Sequence, residues 1–258
     1  MSDYLDLLAH AAQLTVKSEY YEKAIHNNFC QISLKKAILY SKVNPVITEI
    51  KSASPSAGVI RTNVDPAMIA QSMEKGGAIA LSVLTEPKQF KGSLEALSQA
   101  RKTVNLPILM KDIILSPMQI FAASKLGANA ILLIQAIFDR GYCEKNLSEM
   151  IIDAHGLGLE VLLETHTEEE FHSAVKTDAD LIGINNRNLG TLKIDLNTTK
   201  EILKNNNSSG KVIVSESGIK NPEDLRFLRK CGAKAFLIGS SIMLTENIEK
   251  KVKEFVKA

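Results

Sequence analysis

Eight short apolar segments recur along the chain and predict the strands of one sheet. Their starts are 21 to 33 residues apart, which leaves room for a strand, a helix and two loops. Most are apolar at nearly every position, as is typical of strands that are buried on both faces of a parallel sheet. The predicted strands are residues 45–50, 78–85, 107–114, 130–134, 160–165, 181–187, 211–217 and 235–241.

Three of the segments between these strands repeat one order of residues: a capping residue, a proline, an amphipathic stretch and a glycine. This order suits the N-cap, the first turn and the end of a helix. The repeats begin at Asp65–Pro66, Ser116–Pro117 and Asn221–Pro222, and they end at Gly76, Gly127 and Gly232. Eight strand–helix units in about 200 residues favour a (β/α)8 barrel, with an open sheet of two halves as the alternative.

The first 44 residues precede the first predicted strand and hold two amphipathic stretches, YLDLLAHAAQLTV and SLKKAILYSK. We expect them to form extra helices that cap the barrel. The prediction is therefore an α/β protein with an N-terminal helical extension over residues 1–44 and a (β/α)8 TIM barrel over residues 45–258, a single domain overall.

Composition and charge exclude some classes of partner and location. With 31 basic and 29 acidic residues the net charge is +2, so neither nucleic acid nor a membrane surface is expected as a partner. The three cysteines lie far apart and lack the spacing of a metal site. The first residues lack the features of a signal peptide, and we expect a cytoplasmic protein.

Polar residues gather where the predicted strands end, whereas the strand starts are almost purely apolar. Glu49 and Lys51 share a strand face, because side chains alternate along a strand. The other residues at strand ends are Lys111, Glu164, Asn185, Arg187, Glu216 and Ser217. Barrels of this type carry their active sites at that end. The pattern predicts an acid–base site, with structural ion pairs at the rim as the alternative.

Two loops at the same end predict a phosphate site. Gly218 follows the seventh strand, and Gly239 and Ser240 follow the eighth, before a helix. Backbone N–H groups of such loops bind anions, and these two loops are the usual phosphate site of the fold. We therefore expect a small phosphorylated molecule as the ligand, although turn glycines alone would also explain the pattern.

Six longer motifs follow one another along the predicted barrel. They are EIKSASPSAGVI, LSVLTEPKQFKGSLEAL, LPILMKDIILSPMQI, GLEVLLETH, LIGINNRNLGTLKIDLNTT and VSESGIKNPEDL. Together, from about residue 45 to 242, they resemble the indole-3-glycerol phosphate synthase family. The resemblance implies a reaction of tryptophan biosynthesis. In it, 1-(2-carboxyphenylamino)-1-deoxyribulose 5-phosphate closes to indole-3-glycerol phosphate, with loss of carbon dioxide and water. It implies neither a metal nor an organic cofactor.

The same resemblance implies roles for the acids and bases. Lys111 matches the family's general acid, and Glu164 matches its base. Lys51 matches a residue that holds the substrate carboxylate or serves as an acid, and the division of roles between Lys51 and Lys111 stays open. Glu49 is implied to orient and charge both lysines.

The remaining matches concern substrate binding. Asn185, Arg187 and Glu216 match polar groups around the substrate's hydroxyls and its anthranilate part. Ser54, Gly218, Gly239 and Ser240 match the phosphate positions, with Ser217 beside them. Phe90 and Leu132 are candidates for the apolar walls that an anthranilate ring needs. Ile113 departs from the family, which commonly has Phe there.

Two other functions are weighed against this one. An isomerase of phosphoribosyl anthranilate typically uses a Cys and an Asp at strand ends, whereas the first strand here offers Glu49 and Lys51. A non-catalytic phosphosugar-binding module would not need the acid–base set. The chain holds one barrel and lacks the length for a fused second enzyme, so we expect a monomer that acts alone.

Overall fold

Eight parallel strands close into a barrel, in which each strand pairs with the next along the chain and the last pairs with the first. The computed structural model describes residues 3–26, 29, 31–54, 58–59, 61, 65–208 and 210–258. The barrel strands are β1 (Val46–Ile50), β2 (Ala80–Leu84), β3 (Ile108–Lys111), β4 (Ala130–Ile134), β5 (Glu160–Thr165), β6 (Leu181–Asn185), β7 (Val212–Glu216) and β8 (Ala235–Ile238). The predicted barrel is confirmed, and the open sheet is excluded.

Helices precede the barrel and connect its strands on the outside. They are α1 (Tyr4–Lys17), α2 (Leu34–Leu39), α3 (Pro66–Lys75), α4 (Leu94–Thr103), α5 (Pro117–Leu126), α6 (Gln135–Asp139), α7 (Leu147–Gly156), α8 (Glu168–Ala174), α9 (Asn197–Asn205), α10 (Pro222–Cys231), α11 (Ser240–Met243) and α12 (Ile248–Val256). A short 3-10 helix (Tyr20–Lys23) and a small hairpin of Ala53–Ser54 with Gly58–Val59 complete the elements. None of the helices in the described ranges is long and apolar enough to span a bilayer.

The repeated capping pattern forms as predicted. The side chain of Ser116 accepts a hydrogen bond from Met118 N at the start of α5, and Gly127 ends the helix with φ of 90°. Asp65 and Asn221 cap α3 and α10 in the same way. Such an N-cap is worth about 1 kcal/mol, so each cap fixes where its helix leaves the preceding strand.

Several strands end earlier than the apolar pattern predicts. The third predicted strand extends to residue 114, whereas β3 ends at Lys111. There the side chain of Asp112 accepts a hydrogen bond from Ile113 N at 2.7 Å, and this bond turns the chain out of the sheet. Likewise, β6 ends at Asn185, whose side chain accepts from Arg187 N at 2.9 Å. Local side-chain bonds thus replace sheet pairing at the mouth.

Apolar side chains fill two layers that the strand alternation separates. Val46 and Ile50 of β1 pack in the layer that joins the barrel to its helices. Ile47, between them, faces the lumen with residues such as Leu109 and Leu162. The lumen is therefore closed by apolar side chains deep inside and becomes polar only at the carboxyl ends of the strands.

The N-terminal helices contact both ends of the barrel. Leu34 and Ile38 of α2 pack with the lumenal apolar cluster. At the other end, Tyr21 donates a hydrogen bond to Asp112 Oδ1 at 3.0 Å, and Arg140 pairs with Asp3 beside α1 at 2.7 Å. The expected capping helices are present, while the division of the chain at residue 44 stays a prediction.

Candidate active site

A cavity of about 490 Å³ opens at the carboxyl ends of the strands. Every barrel strand contributes to its wall, through Glu49, Leu84, Lys111, Leu132, Glu164, Asn185, Glu216 and Leu237 in order from β1 to β8. The structure brings thirteen of the fourteen predicted site residues to this wall. The exception is Ser54, whose backbone lies in the small hairpin and whose side chain lies outside the described part of the chain.

Lys111 lies between two buried glutamates. Its Nζ is 3.1 Å from Glu164 Oε2 and 3.5 Å from Glu216 Oε2. The side chains of Glu164 and Glu216 are 3% and 1% exposed, so water screens these interactions weakly. Asn185 Nδ2 donates to Glu164 Oε1 at 2.9 Å and fixes that carboxylate from its other side. A potential proton donor and a potential acceptor are therefore in direct contact.

Glu49 and Lys51 form a second pair across the mouth. Lys51 Nζ is 2.9 Å from Glu49 Oε1, and Ser82 on β2 donates to Glu49 Oε2 at 3.4 Å. Glu49 is predicted to orient both lysines, but the ion pair it forms is with Lys51. It acts on Lys111 only by charge. The two lysines therefore belong to separate ion pairs in one cavity.

Of the three glutamates Glu49, Glu164 and Glu216, the last has the least exposed side chain, at 1%. Burial, together with the carboxylates of Glu164 and Glu49, raises the pKa of Glu216 to about 8, although Lys111 opposes the rise. Among the described residues its nearest donor is the Lys111 ammonium, 3.5 Å from Oε2, and neither oxygen makes a closer hydrogen bond. Glu216 is consequently protonated at neutral pH.

The charges of Lys111 and Glu49 stabilise each other. Burial alone would lower the pKa of Lys111, but attraction by Glu164, Glu216 and Glu49 outweighs burial and raises it above the ordinary value. While Glu216 is protonated, Glu164 and Glu49 supply this attraction. Burial opposes ionisation of Glu49, yet the charges of Lys51 and Lys111 hold the pKa of Glu49 below its usual value. Lys111 is therefore charged before reaction, as a general acid must be.

Two strand-end glycines make room for these charged groups. A Cβ on Gly183 of β6 would lie 2.3 Å from Glu216 Oε1. A Cβ on Gly239 would lie 2.6 Å from Glu49 Oε1 and 3.0 Å from Lys51 Nζ. Sequence reasoning predicted Gly239 but missed Gly183. The available signal was an isolated glycine inside an apolar strand, which often marks such a close approach.

Apolar side chains line the rest of the wall. Phe90 and Leu132 lie there as predicted, and so does Ile113, which is 5% exposed. The wall also includes residues that sequence reasoning missed: Tyr4, Leu8, Leu189, Leu192 and Ile194. The first two belong to α1 and the others to the loop after β6. Amphipathic spacing predicts an apolar face of α1 but not which part of the barrel that face covers.

The predicted phosphate positions meet at one side of the cavity. Ser217 and Gly218 follow β7 with φ of 67° and 85°, so two successive residues are left-handed. Gly239 and Ser240 begin the turn into α11. Ser241 Oγ donates to Ile219 O at 2.9 Å and ties the two loops together. Within the described ranges, no group of three or more His, Cys, Asp or Glu side chains is arranged to hold a metal ion.

A closed parallel barrel with buried lysines and glutamates at the carboxyl ends of its strands defines a TIM-barrel enzyme of the acid–base class. A family model described as indole-3-glycerol phosphate synthase matches residues 7–255. The chain belongs to the indole-3-glycerol phosphate synthase family.

Relatives that carry the name indole-3-glycerol phosphate synthase match most of the chain. The protein from Methanocaldococcus jannaschii is 48% identical over 234 residues, covering 88% of this chain and 84% of its own. The one from Caldanaerobacter subterraneus subsp. tengcongensis is 45% identical over 215 residues, covering 82% and 80%. The one from Campylobacter fetus subsp. fetus is 43% identical over 233 residues, covering 90% and 88%.

Solved structures with low sequence identity show the fold alone. A thiamine phosphate pyrophosphorylase from Pyrococcus furiosus has a TM-score of 0.60 at 15% identity and covers 86% of this chain and 96% of its own. An N-acetylmannosamine-6-phosphate 2-epimerase from Clostridium perfringens has a TM-score of 0.60 at 15% identity, covering 83% and 93%.

Proposed function

We propose that the protein is an indole-3-glycerol phosphate synthase, a carboxy-lyase of tryptophan biosynthesis. It closes the indole ring of 1-(2-carboxyphenylamino)-1-deoxyribulose 5-phosphate and releases carbon dioxide and water. The observation that carries the proposal is the contact between charged Lys111 and the buried carboxyl groups of Glu164 and Glu216. Membership of the family supports the identity of the substrate.

The two ends of the substrate bind to different parts of the cavity. The phosphate lies on the backbone of Ser217–Gly218 and Gly239–Ser240, and Ser54 is a further phosphate-binding residue. The anthranilate ring lies on the apolar wall of Phe90 and Leu132. Lys51 holds the anthranilate carboxylate, while Asn185 and Arg187 contact the hydroxyls and the anthranilate part. The mixed wall supports this arrangement, because apolar surface and a few placed polar groups together fix an amphipathic ligand.

The ring carbon that bears the carboxylate attacks the ribulose carbonyl. A carbon–carbon bond forms, and the carbonyl oxygen takes a proton from the Lys111 ammonium. Carbon dioxide then leaves and returns its bonding electrons to the ring. The protonated carboxyl of Glu216, 3.5 Å from Lys111 Nζ, can restore the proton that the lysine has given up.

Dehydration completes the indole. The new hydroxyl leaves as water when an acid protonates it, and a base removes the proton that must be lost to form the double bond. Glu164 is that base, because Asn185 and Lys111 fix its carboxylate at the cavity wall. The acid of this step is Lys111 or Lys51, and Glu49 orients Lys51 through their 2.9 Å ion pair.

The remaining proposals concern the ligand, the oligomeric state, the location and the partners of the protein. The ligand is a small phosphorylated molecule, and we assign all proton transfers to the chain's own side chains. We propose that the protein acts as a monomer in the cytoplasm, with neither nucleic acid nor a membrane as a partner. Near-neutral charge and the scattered cysteines support this setting.

The test is turnover followed by indole fluorescence, with Lys111→Ala beside the parent. We expect the parent to form indole-3-glycerol phosphate and the variant to lose at least about 100-fold in kcat, because removing a general acid costs that much. Lys145→Ala is the matched control, since Lys145 pairs with Asp153 on the surface. It should keep the parental rate.

Two results would contradict parts of the proposal. A folded parent that forms no product would refute the synthase assignment and favour a binding role. Equal rates for the parent and Lys111→Ala would keep the reaction and move the acid's role to Lys51.

A further inference from the structure

The turn that follows β7 is held in an unusual conformation. Ser217 has a φ of 67°, in the left-handed region that a residue with a side chain enters rarely. Gly218 continues the left-handed path at 85°. Above the turn, Ile194 packs so closely that a Cβ on Gly218 would lie 2.6 Å from its Cγ2. Contacts elsewhere must hold such a turn in place.

Those contacts come from Asn186, one residue beyond β6. Its Nδ2 donates to Glu216 O at 2.9 Å and to Ser217 O at 3.1 Å, and it lies 3.1 Å from Ser215 Oγ. Its backbone N–H donates to Glu216 O as well, at 2.9 Å. Asn186 thus hydrogen-bonds the carbonyl groups of Glu216, the last residue of β7, and of Ser217, the first residue of the turn.

Asn186 is itself fixed from the helical layer. Its Oδ1 accepts from Thr199 Oγ1 at 2.8 Å and from Thr199 N at 3.2 Å, where Thr199 belongs to α9. Thr199 Oγ1 and Ser215 Oγ are 2.8 Å apart. All three side chains are 0% exposed. We call Asn186, Thr199 and Ser215 the amide network.

The direction of these bonds determines what the turn presents to the cavity. In a trans peptide unit the C=O and N–H groups point in opposite directions. Because Asn186 draws the carbonyls of Glu216 and Ser217 towards the helical layer, the N–H groups of Ser217 and Gly218 point the other way. Both residues line the cavity. The turn therefore offers donors, and not acceptors, to an anion.

We propose that Asn186 is a positioning residue for the substrate phosphate: without touching the ligand, it holds the left-handed turn at Ser217–Gly218 so that backbone N–H groups face the phosphate. This inference rests on the proposed function, which supplies the position of the phosphate. It adds to that function a residue outside the cavity on which phosphate affinity depends.

The test compares Asn186→Ala with Thr199→Val, in the full-length chain. Thr199→Val removes a hydroxyl from the same buried network but leaves both amide donors to the turn in place. We measure KM and kcat with the substrate, the Kd for inorganic phosphate by calorimetry, and the Tm. Asn186→Ala frees the Ser217 carbonyl and leaves the Glu216 carbonyl with the backbone N–H of residue 186 alone. It should raise KM and the phosphate Kd about tenfold, with kcat within about threefold. Thr199→Val should lower Tm comparably but change either constant less than about twofold.

Unchanged constants in folded Asn186→Ala would overturn the inference. So would equal changes in the two variants, because the network would then be merely structural. If Asn186→Ala does not fold, Asn186→Ser keeps one short donor and should weaken phosphate binding about threefold. An unchanged Kd there would also overturn the inference.

The phosphate titration separates this inference from the proposed function. A parent that binds phosphate without turnover, together with an Asn186→Ala variant of weaker affinity, refutes the synthase and leaves the positioning role standing. Normal turnover and normal phosphate affinity in Asn186→Ala refute the positioning role alone. A parent that binds no phosphate overturns the inference.

Discussion

We call Lys111, Glu164 and Glu216 the lumenal cluster. This charged cluster and the amide network behind it are both buried, but they differ in how completely their polar atoms are hydrogen-bonded. In the lumenal cluster, the carboxyl group of Glu216 makes no hydrogen bond among the described residues beyond the 3.5 Å contact of its Oε2 with Lys111. In the amide network, the amide oxygen and nitrogen of Asn186 are both bonded, to Thr199 on one side and to the turn after β7 on the other.

One barrel thus keeps the groups that can exchange protons apart from the groups that fix the backbone. Ionisable groups that are packed together away from water shift one another's pKa values. They are therefore poised to exchange protons with a substrate. A satisfied neutral network has nothing left to exchange, but it fixes geometry. The two regions meet at Glu216, whose side chain belongs to the cluster and whose carbonyl is held by Asn186.

The greatest loss of activity is expected from changing Glu164, the base that we propose in the lumenal cluster. Glu164→Gln keeps the size of the side chain, although its one amide oxygen can accept from Asn185 or from Lys111 but not from both. The fold should persist. It removes the proton acceptor, and kcat should fall by about 10²–10⁴-fold. Steady-state turnover measures this change, with Glu168→Gln on the exposed start of α8 as the control. A loss of less than tenfold would place the base elsewhere.

An intermediate effect should appear in the pH dependence of stability. The pKa of Glu216 is raised from 4.5 to about 8, so the folded protein binds one more proton than the unfolded chain between these values. The stabilising contribution of Glu216 is complete below about pH 4.5 and is lost as the pH rises towards 8. Glu216→Gln removes this loss and should gain roughly 4 kcal/mol over the parent between pH 5 and pH 9.

Denaturant titrations of both proteins at several pH values measure the effect. Thr199→Val, which alters the amide network without a titrating group, should keep the parental pH dependence. If Glu216→Gln and the parent had parallel profiles, Glu216 would be an ordinary ionised carboxylate, and the contrast between the two regions would lose its basis.

The smallest effect should come from a third buried group, which resembles the amide network. Asp112 accepts from Tyr21 at 3.0 Å and from Ile113 N at 2.7 Å, directly after Lys111. Tyr21→Phe removes one donor and should lower the free energy of unfolding by about 1–2 kcal/mol. Tyr40→Phe, at a side chain 79% exposed, should change it by less than about 0.5 kcal/mol. Equal values for both variants would show that Asp112 does not depend on the N-terminal segment.

The fold and most of the candidate site could be predicted because both depend on local pattern. Apolar runs, capping residues and polar strand ends are readable residue by residue, and they led to the barrel and to the mouth where Lys111 and Glu164 lie. Tyr4 and Asn186 could not be predicted, and the isolated glycine at position 183 indicated a close approach but not the group that approaches. Their roles depend on what approaches them from distant parts of the chain, and no spacing along the sequence encodes that approach.

The order of residues alone identifies the side chains that face the lumen, because alternation along a strand is a local property of the backbone. It also determined that acids and lysines stand at one end of the barrel. Only the tertiary structure decided how these charges pair, since pairing depends on distances between strands. Closure of the barrel places Lys111 between Glu164 and Glu216 and gives Lys51 to Glu49. Burial then determines which carboxyl group keeps its proton, because the cost of a charge depends on what surrounds it.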